Sequence, residues 1–166
     1  MIIETEELKI IPLNSKQLLS YTEGNQLEKE LRIHEKDRFM SETVKMKILS
    51  KILKNINEDE ENFYFYTFWI IILKKENEIA GEFCFKGKPK NGRVEIGYAT
   101  FPKFHNRGIM SKSIEKIIEW VFINTEITNI IAETDSQNLS SIQVLKKNKF
   151  KLFQSQANNF IWMRTK

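Results

Sequence analysis

Hydrophobic and polar positions in the first third of the chain follow first a strand-like and then a helix-like pattern. Residues 8–13 form a short apolar run that predicts a strand, and the Asn14-Ser15 pair after it is a typical start for a helix over residues 17–22. From Ser41 to Ile56 apolar residues recur at helical spacing, which predicts an amphipathic helix. Residues 26–40 have no clear boundaries, so helix and loop both stay open for this segment, a potential wall of a substrate site.

The rest of the chain predicts three strands, a long helix, and a final group of shorter elements. Residues 63–73 are an unbroken run rich in aromatic and β-branched residues, and 79–85 and 93–100 follow after polar turns. Residues 110–122 place their apolar side chains on one face, which predicts the clearest helix in the chain. Residues 129–133 then predict a strand, Asn138 the N-cap of a helix ending at Lys147, and residues 150–153 and 160–163 two closing strands.

Chain length and composition agree with one folded domain. The 166 residues match the usual size of a single domain, so we expect one domain over residues 1–166 that buries about two-thirds of its unfolded surface. Hydrophobic residues make up 41% and charged residues 29%, which excludes disordered and fibrous classes. The element order predicts an α/β or α+β fold with a mixed, mostly antiparallel twisted sheet of about six to seven strands and about four helices.

The cysteine content and the charge limit the cellular compartments and the partners that we expect. The single cysteine, Cys84, cannot form an intramolecular disulfide, and residues 1–7 lack the pattern of a secretory signal, so a cytoplasmic location is expected. The longest apolar stretch, residues 68–73, is far shorter than the about 20 residues of a membrane span. The net charge is +4, but acidic and basic residues are interspersed and no recognised nucleic-acid-binding motif appears. Both observations argue against a nucleic-acid partner. No cysteine or histidine spacing suggests a metal site.

The junction between the third strand and the long helix has the residue types of an anion site. Gly108 allows the main chain to approach a phosphate, and the start of a helix exposes backbone N–H groups at the positive end of its dipole. Lys103, His105 and Arg107 add positive charge nearby. An ordinary strand-to-helix turn with one glycine explains these features equally well. The loop has neither the Gly-Lys-Ser/Thr of a Walker loop nor the three glycines of a dinucleotide-binding loop.

Two segments in sequence order resemble the motifs of a known superfamily. Glu95-Ile96-Gly97-Tyr98, followed by Pro102 and His105-Asn106-Arg107-Gly108-Ile109-Met110-Ser111, resembles the acetyl-coenzyme A motif of the GNAT N-acetyltransferases. Residues 131–150 resemble the next motif of that superfamily in order and spacing. The similarity covers residues 95–150 well and is greatest to the branch of ribosomal-protein alanine N-acetyltransferases. It implies a GNAT-like fold and an acetyl-CoA-dependent N-acetyltransferase without a metal.

The resemblance also implies how acetyl-CoA is bound. The family pattern Gln/Arg-x-x-Gly-x-Gly/Ala falls on His105, Gly108 and Met110, of which only Gly108 matches strictly. The main chain of the loop would hold the pyrophosphate, and the strand edge at Tyr98 and Thr100 would pair with the pantetheine arm. The Tyr98 N–H would polarise the thioester carbonyl. The implied cofactor-binding residues are Tyr98, Thr100, His105, Asn106, Arg107, Gly108, Ile109, Met110, Ser111, Asn138 and Ser141.

The proton-transfer groups are less closely specified. The family often has a tyrosine general acid where Leu145 stands, and a glycine where Lys149 stands. Leucine cannot donate a proton, so the Ser141 hydroxyl or a water molecule is the expected proton source for the leaving thiolate. Glu95 is the first candidate for the general base and Glu82 the second. A solvated or ion-paired structural carboxylate is the alternative for each.

The acceptor is the least specified part of the predicted reaction. The resemblance implies a protein N-terminal amine as the acceptor substrate, with a small amine such as an aminoglycoside or a polyamine as the alternative. Because the usual tyrosine acid is missing, a module that binds CoA without turnover is a further alternative. The oligomeric state, including a homodimer, is left open.

Overall fold

The computed structural model describes residues 1–35 and 40–166. The chain forms two compact units, Met1–Cys84 and Phe85–Lys166. The described residues contain eight strands and seven α-helical segments, more than the sequence predicts. The additional elements are short, such as the two-residue strand β1 (Ile3–Glu4) and the four-residue helix α5 (Phe63–Tyr66). The predicted class of fold, a mixed sheet with helices, is confirmed.

The strands of the first unit are antiparallel and pair in chain order. They are β1, β2 (Leu8–Pro12), β3 (Phe68–Leu73) and β4 (Glu78–Phe85). All residues of β3 are buried, which explains why its sequence is a continuous apolar run instead of an alternating one. The register pairs Ile10 of β2 with Ile71 of β3. The predicted first strand and the predicted strand pair are therefore both present.

The helices of the first unit cover much of the chain between β2 and β3. They are α1 (Ser15–Thr22), α2 (Gln26–Leu31), α3 (Glu42–Lys47), α4 (Leu53–Glu58) and α5. Asn14 starts α1 as predicted, because its Oδ1 accepts from the Gln17 N–H at 2.9 Å while Gln17 Oε1 accepts from the Asn14 N–H at 3.1 Å. A π-helical turn, Ile48–Ile52, joins α3 to α4, so the predicted amphipathic segment is one continuous helical stretch.

One predicted strand is shorter than expected, and one uncertain segment is partly helical. Residues 63–66 form α5 although their aromatic composition predicts a strand, so that part of the prediction was wrong. Hydrogen bonds fix this turn: the Tyr66 hydroxyl donates to Asp59 Oδ2 at 2.9 Å, and Trp69 Nε1 donates to the Tyr64 carbonyl at 2.9 Å. Such contacts outweigh strand propensity. Within the open segment 26–40, α2 occupies the first part, and residues 36–39 lie outside the described residues.

The second unit has a mixed sheet of four strands, β5 (Arg93–Thr100), β6 (Asn129–Asp135), β7 (Lys151–Gln156) and β8 (Asn159–Thr165). Their order in the sheet is β5-β6-β8-β7. β5 and β6 are parallel, and helix α6 (Ile109–Asn124) makes the crossover that parallel strands require. Helix α7 (Leu139–Lys147) connects β6 to β7. No helix among the described residues is long and apolar enough to cross a bilayer.

The parallel strands β5 and β6 separate after a short paired region. Their register runs only from the pair Arg93 and Asn129 to the pair Glu95 and Ile131. β6 stays paired with β8 as far as Asp135, so the second half of β5 leaves β6. This separation leaves the main chain after Glu95 without β6 as a partner.

Candidate active site

A groove of about 440 Å³ lies in the second unit between the end of β5, the first turn of α6 and one face of α7. All the predicted cofactor-binding residues except Arg107 line this groove. Its wall on α7 also includes residues that the sequence did not single out: Ser140, Gln143, Val144 and Lys147. The sequence-predicted set is therefore brought together in one place by three different elements.

The loop before α6 has the backbone geometry of an anion site. Gly108 is the N-cap residue of α6 with φ +72°, and Asn106 is also left-handed with φ 60°. A left-handed residue next to a helix start turns successive N–H groups toward one concavity. Within the described part of the chain no side chain caps α6, and a Cβ built on Gly108 would meet no atom within 4 Å. The N–H groups of the first turn are thus left for an external acceptor, which fits a phosphate.

The basic side chains of this loop have distinct positions. His105 Nε2 lies 2.9 Å from the Thr100 carbonyl oxygen, and since a carbonyl only accepts, Nε2 carries a proton in this arrangement. This bond closes the loop between β5 and α6. The Lys103 ammonium and the Arg107 guanidinium lie 5.2 and 5.4 Å from the ring centroid of the buried Phe104. Phe104 and His105 line the groove, whereas Arg107 contacts the Phe104 ring and is not itself a lining residue.

Met110 departs from the family pattern without filling the groove. Its side chain is only 3% exposed and that of Ile109 only 5% exposed, so both are buried in the core. The two residues line the groove while their side chains pack in the core. A large residue at the position where the family has a small one therefore leaves room for a phosphate.

The first turn of α7 is organised around Asn138. Its Oδ1 accepts from the Ser141 N–H at 3.1 Å and from the Ser140 hydroxyl at 2.9 Å, which makes Asn138 the N-cap that the sequence predicts. Asn138 and Ser141 both line the groove. Leu145 on the same helix is fully buried. The position at which the family often has a tyrosine acid is thus part of the core here.

Two polar contacts in the groove walls were missed by sequence reasoning. The Tyr98 hydroxyl donates to the Ser141 carbonyl at 3.0 Å, and burial raises the pKa of Tyr98 well above its usual range, so the hydroxyl stays protonated. Asn148, at the end of α7, donates from Nδ2 to the carbonyl of Ser111 at 3.1 Å. A tyrosine in a strand and an asparagine after a helix are common, so the sequence does not indicate the hydrogen-bond partner of either residue.

The two candidate bases lie outside the groove lining. Glu95 on β5 contacts the ammonium group of Lys86 and is half-buried. Glu82 on β4, in the first unit, accepts a hydrogen bond from the hydroxyl of Tyr21, which is itself 2% exposed. Both carboxylates therefore have a partner, one a cation and the other a neutral donor.

Sequence comparison gives the family. Residues 20–151 match the model of the acetyltransferase (GNAT) domain. A curated relative, the uncharacterized N-acetyltransferase YjdG of Bacillus subtilis, is 33% identical over 96 residues, which are 57% of this chain and 57% of that protein. The chain spans about half the length of the curated relatives it matches, with 46% and 52% for two others.

Solved structures show the same fold across nearly the whole chain. The ribosomal-protein-S5-alanine acetyltransferase of Vibrio fischeri has a TM-score of 0.73 at 14% identity and covers 99% of this chain and 96% of its own. RimL, a ribosomal L7/L12 α-N-protein acetyltransferase in complex with coenzyme A, has a TM-score of 0.71 at 18% identity, covering 99% and 98%. Together with the family match over residues 20–151, these similarities show that the chain belongs to the GNAT acetyltransferase family.

Proposed function

We propose that this protein transfers the acetyl group of acetyl-CoA to a primary amine. The observation that carries the proposal is the groove. The start of α6, which no described side chain caps, forms one end of it, and the part of β5 that is not paired with β6 forms one side. Because the family match runs through both units, we further propose that residues 1–166 act as one N-acetyltransferase domain. Membership of the GNAT family supports both statements.

The residues of the groove suit the parts of acetyl-CoA. The N–H groups from Arg107 to Ser111 would bind the pyrophosphate, assisted by the positive end of the α6 dipole. The arm of the coenzyme would then run along Tyr98 and Thr100, where β5 has no β6 partner, and would add to the strand edge. In that position the Tyr98 N–H would point at the thioester carbonyl and stabilise the charge that develops there.

The transfer itself needs one proton acceptor and one proton donor. The amine nitrogen attacks the thioester carbonyl carbon, a C–N bond forms, and the C–S bond breaks. The amine gives up a proton to a base, for which we propose Glu95 first and Glu82 second, directly or through water. The sulfur leaves as a thiolate and takes a proton from the Ser141 hydroxyl or from water, because the buried Leu145 has none to give.

A protein N-terminal amine is the acceptor that we propose. The support is the fold-level similarity to enzymes named for ribosomal proteins, the L7/L12 α-N-protein acetyltransferase RimL and the ribosomal-protein-S5-alanine acetyltransferase. The sequence resemblance over residues 95–150 points to the same branch. Small amines, such as aminoglycosides and polyamines, are the competing acceptors, and a CoA-binding module without turnover is the competing function.

A thiol-release assay distinguishes these possibilities. The protein is incubated with acetyl-CoA and a panel of peptides with different N-terminal residues, aminoglycosides and polyamines, and free CoA is measured. We expect release with a subset of the peptides and acetylation of their α-amine by mass spectrometry. Release with small amines alone would overturn the proposed acceptor. Binding of CoA without release for any amine would leave a binding module.

A further inference from the structure

The hydroxyl of Tyr98 connects two walls of the groove, the second half of β5 and the first turn of α7. No strand pairing between β5 and β6 connects them there. Tyr98 lies on β5 beyond the last residue that pairs with β6, and its hydroxyl donates to the Ser141 carbonyl in the first turn of α7 at 3.0 Å. Ser141 O can accept this bond in addition to its helical bond because a carbonyl has two lone pairs. Both residues line the groove.

The first turn of α7 has one buried side chain behind it, that of Ile142, and an exposed outer side. Asn138, Leu139 and Ser140 are exposed, Leu139 to 68%, while Ile142 is buried and Leu145, nearer the other end of the helix, is fully buried. At that other end Asn148 binds the first turn of α6 through the Ser111 carbonyl. The two side chains therefore attach opposite ends of α7 to the two other walls of the groove, Tyr98 to β5 and Asn148 to α6.

We infer that Tyr98 is a positioning residue whose hydroxyl sets the distance between β5 and the first turn of α7, and so the width of the channel for the pantetheine arm. This inference rests on the proposed function, since it assumes that the arm lies between Tyr98 and Ser141. It goes further in giving the side chain of Tyr98 a task distinct from that of its main-chain N–H. The Asn148 end lies beside the phosphate loop, so the nucleotide portion of the coenzyme does not depend on the Tyr98 bond.

The hydroxyl of Tyr98 is not the missing general acid. Burial raises its pKa, which makes the phenol a weaker acid than an ordinary tyrosine while keeping it protonated as a hydrogen-bond donor. Its proton is also already donated to the Ser141 carbonyl oxygen. A permanent donor with a fixed acceptor is what a positioning contact requires.

The test compares two ligands and two tyrosines. Binding of CoA and of 3′-phospho-ADP, the nucleotide portion without the arm, is measured by calorimetric titration for the wild type, Tyr98→Phe and Tyr66→Phe. Tyr66→Phe is the matched control, because it removes a phenol hydrogen bond to Asp59 in the other unit. We expect Tyr98→Phe to lower CoA affinity about tenfold, the effect of one neutral hydrogen bond, and to keep nucleotide affinity within about twofold. Tyr66→Phe should change neither affinity.

The possible results separate the inference from the proposed function. Unchanged CoA affinity in Tyr98→Phe, or an equal loss for both ligands, would overturn the positioning role and leave the function in place. A wild type that binds neither ligand would overturn both. If Tyr98→Phe folds poorly, replacement of Tyr98 by 4-aminophenylalanine, which restores a donor on the same ring, should bind CoA within about threefold of wild type. Loss of CoA affinity in a folded form of that variant would also contradict the inference.

Discussion

The ammonium of Lys86 contacts the Oε1 oxygen of Glu95, and the same nitrogen lies 4.0 Å from Oε2 of Glu133. The lysine side chain passes over Gly97, where a Cβ would lie 3.7 Å from its Cε. The first candidate base thus shares a cation with a carboxylate on the neighbouring strand β6. An acceptor amine that approaches Glu95 has to take the place of Lys86 or use a water molecule.

The role of Glu95 is tested by removing its charge while keeping its shape. If Glu95 is the general base, Glu95→Gln should lower turnover about 10² to 10⁴-fold and leave CoA affinity nearly unchanged, because the residue does not line the groove. Glu82→Gln is the matched control, and we expect it to lower turnover less than about tenfold. The pH–rate profiles of both variants should be recorded beside that of the wild type. The reverse order of the two effects would assign the base to Glu82, and lower thermal stability with a normal rate in the folded fraction would make Glu95 structural.

Gly108 offers a sharp test of the phosphate site because the chain contains a matched glycine. Gly108 and Gly24 both have positive φ, +72° and +53°, and a Cβ on either would meet no atom within 4 Å. Aspartate at either position therefore causes a similar backbone strain. This strain is smaller for Asp than for most residues, because Asp tolerates the left-handed conformation. We expect Gly108→Asp to remove measurable CoA binding through bulk and charge at the anion site, and Gly24→Asp to keep it. Calorimetric titration of the two variants decides, and undiminished affinity in Gly108→Asp would remove the pyrophosphate assignment.

The sequence predicted the parts of this site that depend on local order. Asn14 and Asn138 were identified as helix caps because capping depends on neighbours three residues away. The junction at Gly108 was found for the same reason, since strand, glycine and helix are adjacent in the chain. Resemblance to a family then supplied the function, which the charge and spacing of these residues left open.

What the sequence did not predict depends on contacts between distant residues. Tyr98 and Ser141 are 43 residues apart, and Ser111 and Asn148 are 37 apart, so no periodicity connects them. The strand predicted at residues 63–66 failed because Asp59 binds the Tyr66 hydroxyl and favours a helical turn. Met110 departs from the family pattern in sequence, but its side chain enters the core, which only the packing shows.

Lys149 occupies a backbone position that favours glycine. Its φ is 60°, in the left-handed region, at the turn after α7 where the Lys149 N–H donates to the Lys146 carbonyl. We expect Lys149→Gly to raise the free energy of unfolding by about 0.5–1 kcal/mol, because it removes the Cβ strain of that conformation. The same change inside the helix, Lys146→Gly, should lower it by about 1 kcal/mol. Urea denaturation measures both, and effects of equal sign would contradict the assigned strain.

The buried phenol of Tyr98 predicts a pH-dependent stability. Because its pKa is raised above the ordinary value near 10, the folded protein holds this proton more tightly than the unfolded chain. The stability that follows is fully present below about pH 10 and is lost as pH rises toward the folded-state pKa, by at most about 1.4 kcal/mol per pH unit. The free energy of unfolding of the wild type and of Tyr98→Phe is measured between about pH 8 and 11. We expect the difference between the two free energies to shrink above about pH 10. A constant difference would show that the phenol ionises normally.

Ser141 is the last group in the proposed proton path. The role of its hydroxyl can be separated from the structural contacts of its main chain. Its main-chain N–H is held by Asn138 and its carbonyl by Tyr98, so replacing the side chain leaves both contacts in place. If the hydroxyl binds the leaving sulfur or the water that protonates it, Ser141→Ala should slow the chemical step about tenfold, the effect of one neutral hydrogen bond of about 1 kcal/mol. Ser140→Ala is the comparison, because that hydroxyl donates to Asn138 instead, and it should leave the rate within about twofold. The measurement is single-turnover acetyl transfer at saturating acetyl-CoA. Equal rates for the wild type and Ser141→Ala would assign the Ser141 side chain to helix packing and make water the proton source.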